Sequence, residues 1–226
     1  MEAKIQLQPG QYYHIYNHAN GFDDFFIDEF DYQKFLDRYA MYIAPICETF
    51  AYCLMPNHFH FFVQIKPLSE LIKYLRIKPT NPEINSRTDF SIHPAFGGSL
   101  AIGSSPEIDS DTISYQFSHC FNSYAQSFNK KHGRKGSLFR STFKRKPVDS
   151  KKYFVKLVHY IHSNPVKDGF AKTIEQWEYS SYNHYLYDTG KFLNKAQVLE
   201  YFGGIASFKQ VHEQPFDYSI LIKNKL

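Results

Sequence analysis

Cysteine, methionine and tryptophan are scarce in this chain, at three, three and one among 226 residues. Cys47, Cys53 and Cys120 form no CxxC pair and are odd in number, which excludes a paired disulfide framework and any obvious zinc knuckle. A reduced, cytoplasmic setting is expected. No apolar run approaches the roughly 20 residues of a membrane span, and no basic-plus-apolar leader opens the sequence, so a soluble chain with no membrane partner is expected. Acid is also missing over one long stretch, since neither Asp nor Glu occurs from Thr112 to Val148.

That acid-free stretch holds Lys130, Lys131, Arg134, Lys135, Arg140, Lys144, Arg145 and Lys146, whereas the whole chain is only +4, so the remainder is net acidic. Such an asymmetry fits one surface facing a polyanion; the plain alternative is a solvated charge run. Aromatics are abundant, with 18 tyrosines and 22 phenylalanines, and 43% of residues are hydrophobic. This is enough to build one substantial core, with some rings available to stack on nucleobases.

Alternation of Tyr12, His14, Tyr16 and His18 with Tyr13, Ile15 and Asn17 predicts a first strand. Asp28 stands where a helix cap belongs. Tyr32, Phe35, Leu36, Tyr39, Tyr42 and Ile43 follow helical spacing up to Pro45. Residues 46–54 and 58–65 form a hairpin around Pro56-Asn57. Residues 67–111 read as a surface insertion rich in Pro, Gly, Ser and Asn, beginning with the short piece SELIKYLR. Ile113, Phe117, Cys120, Phe121, Tyr124 and Phe128 then mark one stripe of a long helix ended by Gly133 and Gly136.

LFRSTFKRKPV can supply a further strand. Asp149 or Ser150 caps a last helix with the stripe Tyr153, Phe154, Leu157, Val158 and Ile161, which Asn164-Pro165 is expected to stop. The order β, α, β, β, α, β, α predicts an α+β fold of the ferredoxin-like kind, an antiparallel sheet with helices packed on one face. The catalytic unit is expected over residues 1–187, with 188–226 as a C-terminal extension.

The stretch MPNHFHFFVQI, residues 55–65, sets two histidines in the second hairpin strand. Side chains at alternate strand positions share a face, so Phe59, Phe61, Val63 and Ile65 point to the core while His58 and His60 stand together on the other side. From there two imidazoles can converge on one ion. An HxH pair alone is a weak motif; the plain alternative is two strand histidines bonded to water or backbone.

In KLVHYIHSNPVKDG, residues 156–169, Lys156, Tyr160 and Asn164 lie one turn apart on one helix face. A phenol there can attack a phosphodiester polarised by a divalent cation, and the amide oxygen of Asn164 can join two imidazoles as a third ligand. A hard ion such as Mg²⁺ prefers oxygen and Mn²⁺ accepts mixed sites, so Mg²⁺ or Mn²⁺ is the cofactor expected. Tyr-x3-Asn recurs at Tyr13, Tyr16 and Tyr179, and packing is the default role of any one tyrosine. Tyr153 is the second candidate nucleophile.

MPNHFHFFV, NSYAQSFNKKHGRKGSLF, VHYIHSNPVKDGF and WEYSSY together resemble the REP-associated tyrosine transposases, relatives of the IS200-like transposases in the HUH single-strand nuclease superfamily. The likeness covers most of residues 10–187, weakens over the insertion and ends near Tyr187. It implies a ferredoxin-like fold, His58 and His60 as metal ligands, Tyr160 as the single nucleophile and Asn164 as the polar ligand one turn on. It also implies cleavage and rejoining of single-stranded DNA near hairpins through a 5′-phosphotyrosine and a free 3′-OH, as in DNA transposition and recombination. Relatives act as dimers that donate the tyrosine in trans or as monomers. The first strand departs from the pattern, ending NHANG where many members carry Arg and Gly.

On this reading the DNA-contacting cations are the eight of the acid-free stretch and Lys156. Trp177, Tyr179 and Tyr182 are candidates for base stacking or packing anchors. The alternatives are a domesticated, non-catalytic nucleic-acid-binding regulator of the same fold, and a metal-dependent hydrolase that uses water.

Overall fold

The computed structural model describes residues 5–21, 23–77 and 110–217. Most of the expected insertion, residues 78–109, lies outside the described residues, as does the end of the chain from 218.

The sheet grows from the alternation already visible in the sequence. Strands β1 (Tyr12–His18), β2 (Cys47–Met55), β3 (His58–Ile65) and β4 (Lys144–Val148) lie in the order β2-β3-β1-β4, with every neighbouring pair antiparallel. Inserting β3 between β1 and β2 gives the split βαβ arrangement of a ferredoxin-like fold. Helix α1 (Glu29–Tyr42) makes the first crossover; the Asp28 side chain caps it by accepting from the Asp31 N–H. Helices α2 (Leu68–Ile77) and α3 (Ser110–Lys131) follow the hairpin.

One face of the sheet carries Tyr13, Ile15, Tyr52, Leu54, Phe59, Phe61, Val63 and Ile65, packed against Phe35 and Tyr39 of α1 and Phe117, Cys120, Phe121 and Tyr124 of α3. The Tyr39 hydroxyl meets Thr49 Oγ1 at 2.7 Å, so this polar pair is satisfied inside the core.

The second face is covered as well, which corrects the expectation of helices on one face only. Helix α4 (Lys151–Lys167) sets Phe154, Leu157, Val158 and Ile161 against Phe50, Ala51, Cys53, Met55 and Phe62. A bulge between Thr49 and Ala51 turns both Phe50 and Ala51 to this side, so β2 feeds two cores. After a 3₁₀ turn (Ile174–Gln176), helices α5 (Tyr182–Leu186), α6 (Lys195–Phe202) and α7 (Ile205–Glu213) complete the layer with Tyr185, Val198, Phe202 and Phe208. The boundary expected after Tyr187 therefore runs through a shared core.

Ser150 caps α4 by accepting from the Tyr153 N–H. The helix does not stop at Asn164-Pro165. It continues to Lys167, because a proline here removes only one N–H while the Asp168 N–H still reaches the Asn164 carbonyl at 2.9 Å. Among the described residues, no helix is long and apolar enough to cross a membrane.

Candidate active site

The first strand and the hairpin strand build one wall of a cleft. In the β1–β3 register His18 faces His58 and Tyr16 faces His60, and His14 follows two positions earlier. Cross-strand partners share a face, so the alternate residues of β1 line up against both histidines of β3. Ring centroids lie 4.9 Å apart for His18 and His58, and 5.0 Å apart for His14 and His60. The opposite wall is α4, which contributes Tyr160, Asn164 and Lys167, with Asp168 just beyond its end; the cleft encloses about 400 Å³. The Tyr160 ring stands edge-on to His60 at 5.5 Å and to His14 at 6.0 Å.

Hydrogen bonds decide what each histidine offers. Asn57 Oδ1, an acceptor, lies 2.7 Å from His58 Nδ1, so that nitrogen carries the proton and Nε2 keeps its lone pair. That Nε2 lies 3.3 Å from Asp168 Oδ2. His60 Nδ1 meets His14 Nε2 at 2.9 Å. Burial lowers the pKa of His58 and of His14 to about 3 each, and pushes His60 well below its usual value. All three are neutral imidazoles near pH 7.

Burial raises the Tyr160 hydroxyl to about 12, against a smaller lowering by a hydrogen bond from Asn164. Asn164 Nδ2 also donates to the Tyr160 carbonyl at 2.7 Å, leaving Asn164 Oδ1 buried with no partner. Tyr153, one repeat earlier, packs with the second core, and burial raises its pKa strongly.

The donors suit a divalent ion: a neutral imidazole with its lone pair free, a second imidazole beside it and an orphaned amide oxygen in the same cleft. Among the described residues, no three His, Cys, Asp or Glu side chains suffice to hold an ion by themselves. An ion held here would therefore also draw on the amide oxygen of Asn164 and on water, which commonly completes the shell of Mg²⁺.

The cations divide. In the β1–β4 register Lys146 faces His14 and Lys144 faces Tyr16, so both stand on the cleft side. The Arg140 N–H donates to the His18 carbonyl at 3.0 Å, which sets this residue beside the same rim. Lys156 is half-buried one turn before Tyr160.

Arg145 departs from the expected DNA-facing role. It points to the opposite face with its partner Ile15, is 8% exposed, donates to Ser114 Oγ at 2.6 Å and lies over the Phe143 ring. Lys131 pairs with Asp28 and Asp31, and Arg134 with Asp23, at the corner between α1 and α3. Lys130 and Lys135 are exposed at that same corner. The sequence reading missed His14, Tyr16, Lys167 and Asp168 as cleft residues. The signal lay in the strand alternation that put His14, Tyr16 and His18 on one face.

Trp177 donates from Nε1 to the Leu54 carbonyl at 3.0 Å, Tyr179 stacks on Tyr32 at 3.5 Å, and Tyr182 is buried in the second core. All three are packing anchors.

The antiparallel β2-β3-β1-β4 sheet with its crossover helices is a ferredoxin-like fold. A solved structure described as a REP-associated tyrosine transposase bound to a REP hairpin shares that fold, with a TM-score of 0.50 and 15% identity over 86% of this chain and 94% of the other. No protein-family model matches the chain, and no curated protein matches it in sequence.

Proposed function

We propose that this chain is a divalent-metal-dependent nuclease and strand transferase for single-stranded DNA near hairpins, with Tyr160 as its nucleophile. The observation that carries the reading is the meeting of Tyr160 and Asn164 of α4 with His58 and His60 of β3 in one cleft. A fold shared with a hairpin-bound transposase supports it.

His58, His60 and Asn164 would hold Mg²⁺ or Mn²⁺, which when bound polarises the scissile phosphate and lowers the barrier to attack. Tyr160 loses its proton and its Oη forms a bond to phosphorus. The bond from phosphorus to the 3′ oxygen breaks, and that oxygen leaves as a 3′-OH after taking a proton. The DNA 5′ end is then esterified to the tyrosine, and attack by a 3′-OH reverses the step and joins strands. No external energy is needed because one ester replaces another. Lys144, Lys146, Arg140 and Lys167 rim the cleft where a phosphate backbone would run; they hold DNA without reading its sequence.

End-labelled hairpin DNA incubated with the protein and Mn²⁺, then run on a denaturing gel, tests this reading. A protein-linked labelled band that vanishes with EDTA and in Tyr160→Phe is expected. Cleavage with no protein-linked product points instead to water as nucleophile, and hairpin binding without cleavage to a regulator.

A further inference from the structure

Three residues of α4 and its cap, Tyr160, Asn164 and Asp168, follow one another at intervals of four, and all three line the cleft. They do so only because the helix runs through Pro165 to Lys167. A chain that stopped at Asn164, as Asn-Pro sequences favour, would not carry Asp168 back to the cleft.

Asp168 meets the cleft in an unusual way. Its Oδ2 lies 3.3 Å from His58 Nε2, the nitrogen left without a proton by the Asn57 contact. Two lone pairs at that separation repel unless a positive centre stands near both. The Asp168 side chain is 27% exposed, so it reaches the cleft without deep burial. In the same cleft the buried Oδ1 of Asn164 has no partner. Lys167 Nζ lies 3.9 Å from the other carboxylate oxygen, Oδ1, and the Oδ2 that faces His58 is left for an ion, a carboxylate being the donor that hard dications prefer.

Accepting the metal-dependent reading above, we infer that Asp168 closes onto the ion as a further ligand when it loads, since no three His, Cys, Asp or Glu side chains among the described residues are yet placed to hold one, and supplies the one anionic donor to a set of otherwise neutral imidazole and amide groups. Its charge offsets half that of a dication, favours Mg²⁺ and Mn²⁺ over softer ions, and ties the end of α4 to the histidine strand. Asn164 and Asp168 would then hold from the helix what His58 and His60 hold from the sheet. Loading the ion would fix the face of α4 that bears Tyr160.

The test is metal binding by the full-length protein without DNA, read by the electron paramagnetic resonance of free Mn²⁺ and by thermal shift. Asp168→Asn keeps shape and removes charge; Asp168→Cys offers a thiolate. Expected are a loss of Mn²⁺ affinity of at least about ten-fold in Asp168→Asn, with melting in EDTA unchanged, and a thiolate-to-cadmium absorption band when Asp168→Cys is titrated with Cd²⁺. Unchanged Mn²⁺ affinity in Asp168→Asn, or Cd²⁺ bound by Asp168→Cys without that band, overturns the assignment of Asp168. If His58→Ala still loses affinity in that case, the metal reading itself survives. Wild-type protein that binds no Mn²⁺, or a His58→Ala variant that binds it as well as wild type, overturns both.

Discussion

His14 Nε2 and His60 Nδ1 meet at 2.9 Å across the β1–β3 pair, both rings buried and neutral. His60 can present its Nε2 lone pair to an ion only when its own proton sits on Nδ1 and is donated to His14. His14 then holds its remaining proton on Nδ1, a buried atom with no partner. His14 is thus a positioning residue that selects the tautomer of His60. Replacing it by Ala should weaken Mn²⁺ binding by about 10–100-fold. His14→Gln, which offers an acceptor oxygen, should retain most of the affinity. Equal losses in both variants would show that His14 does not act through the proton on His60.

The two groups of cations should separate in DNA binding. Each of Lys144→Ala and Lys146→Ala should lower affinity for a hairpin and reduce the salt slope by about one. Lys131→Ala should leave that slope unchanged and lower thermal stability instead, since its ammonium already bonds Asp28 at 2.6 Å and Asp31 at 2.9 Å. A fall in slope for Lys131→Ala equal to that for Lys144→Ala would place the DNA on the α1–α3 corner.

Acid should unfold the protein through its buried histidines. Burial lowers His14 and His212 to about 3 and His159 to about 4, and puts His162 well below its usual value. The unfolded chain takes up these protons near pH 6.5, so stability is full above that and is lost as pH falls toward the folded values. Each such group removes about 1.4 kcal/mol per pH unit across the window. The melting temperature should stay level from about pH 8 to 7 and fall steeply below about pH 6, less steeply in His159→Phe. A level melting temperature down to about pH 4.5 would contradict the neutral, buried state of these rings.

Removing residues 188–226 should destabilise the catalytic layer as well as the tail. Val198, Phe202 and Phe208 cover Phe154, Leu157, Val158 and Ile161 of the helix that bears Tyr160. Losing each such buried side chain forfeits about 1.5–3 kcal/mol. A truncated chain with an unchanged melting temperature would show that residues 1–187 fold alone.

Much of the sheet was legible because strand alternation encodes it directly. Phe59, Phe61, Val63 and Ile65 do face one core, and His58 and His60 do face away. Arg145 was not legible, because β4 is short and its facing depends on pairing with Ile15, a long-range fact. Asp168 was hidden by Pro165, whose local preference reads as a stop where tertiary packing carries the helix on. The second core escaped notice because its parts lie far apart in the chain: Phe50 needs a bulge to face it, and Phe208 comes from the last of the described helices.

The most direct measurement is the identity of the residue that becomes linked to DNA. After reaction with a hairpin and Mn²⁺, nuclease and protease digestion followed by mass spectrometry should find a nucleotide 5′-phosphate on Tyr160. A nucleotide on Tyr153 or another side chain, or a cleaved hairpin with an unmodified Tyr160 peptide throughout the time course, would contradict the account.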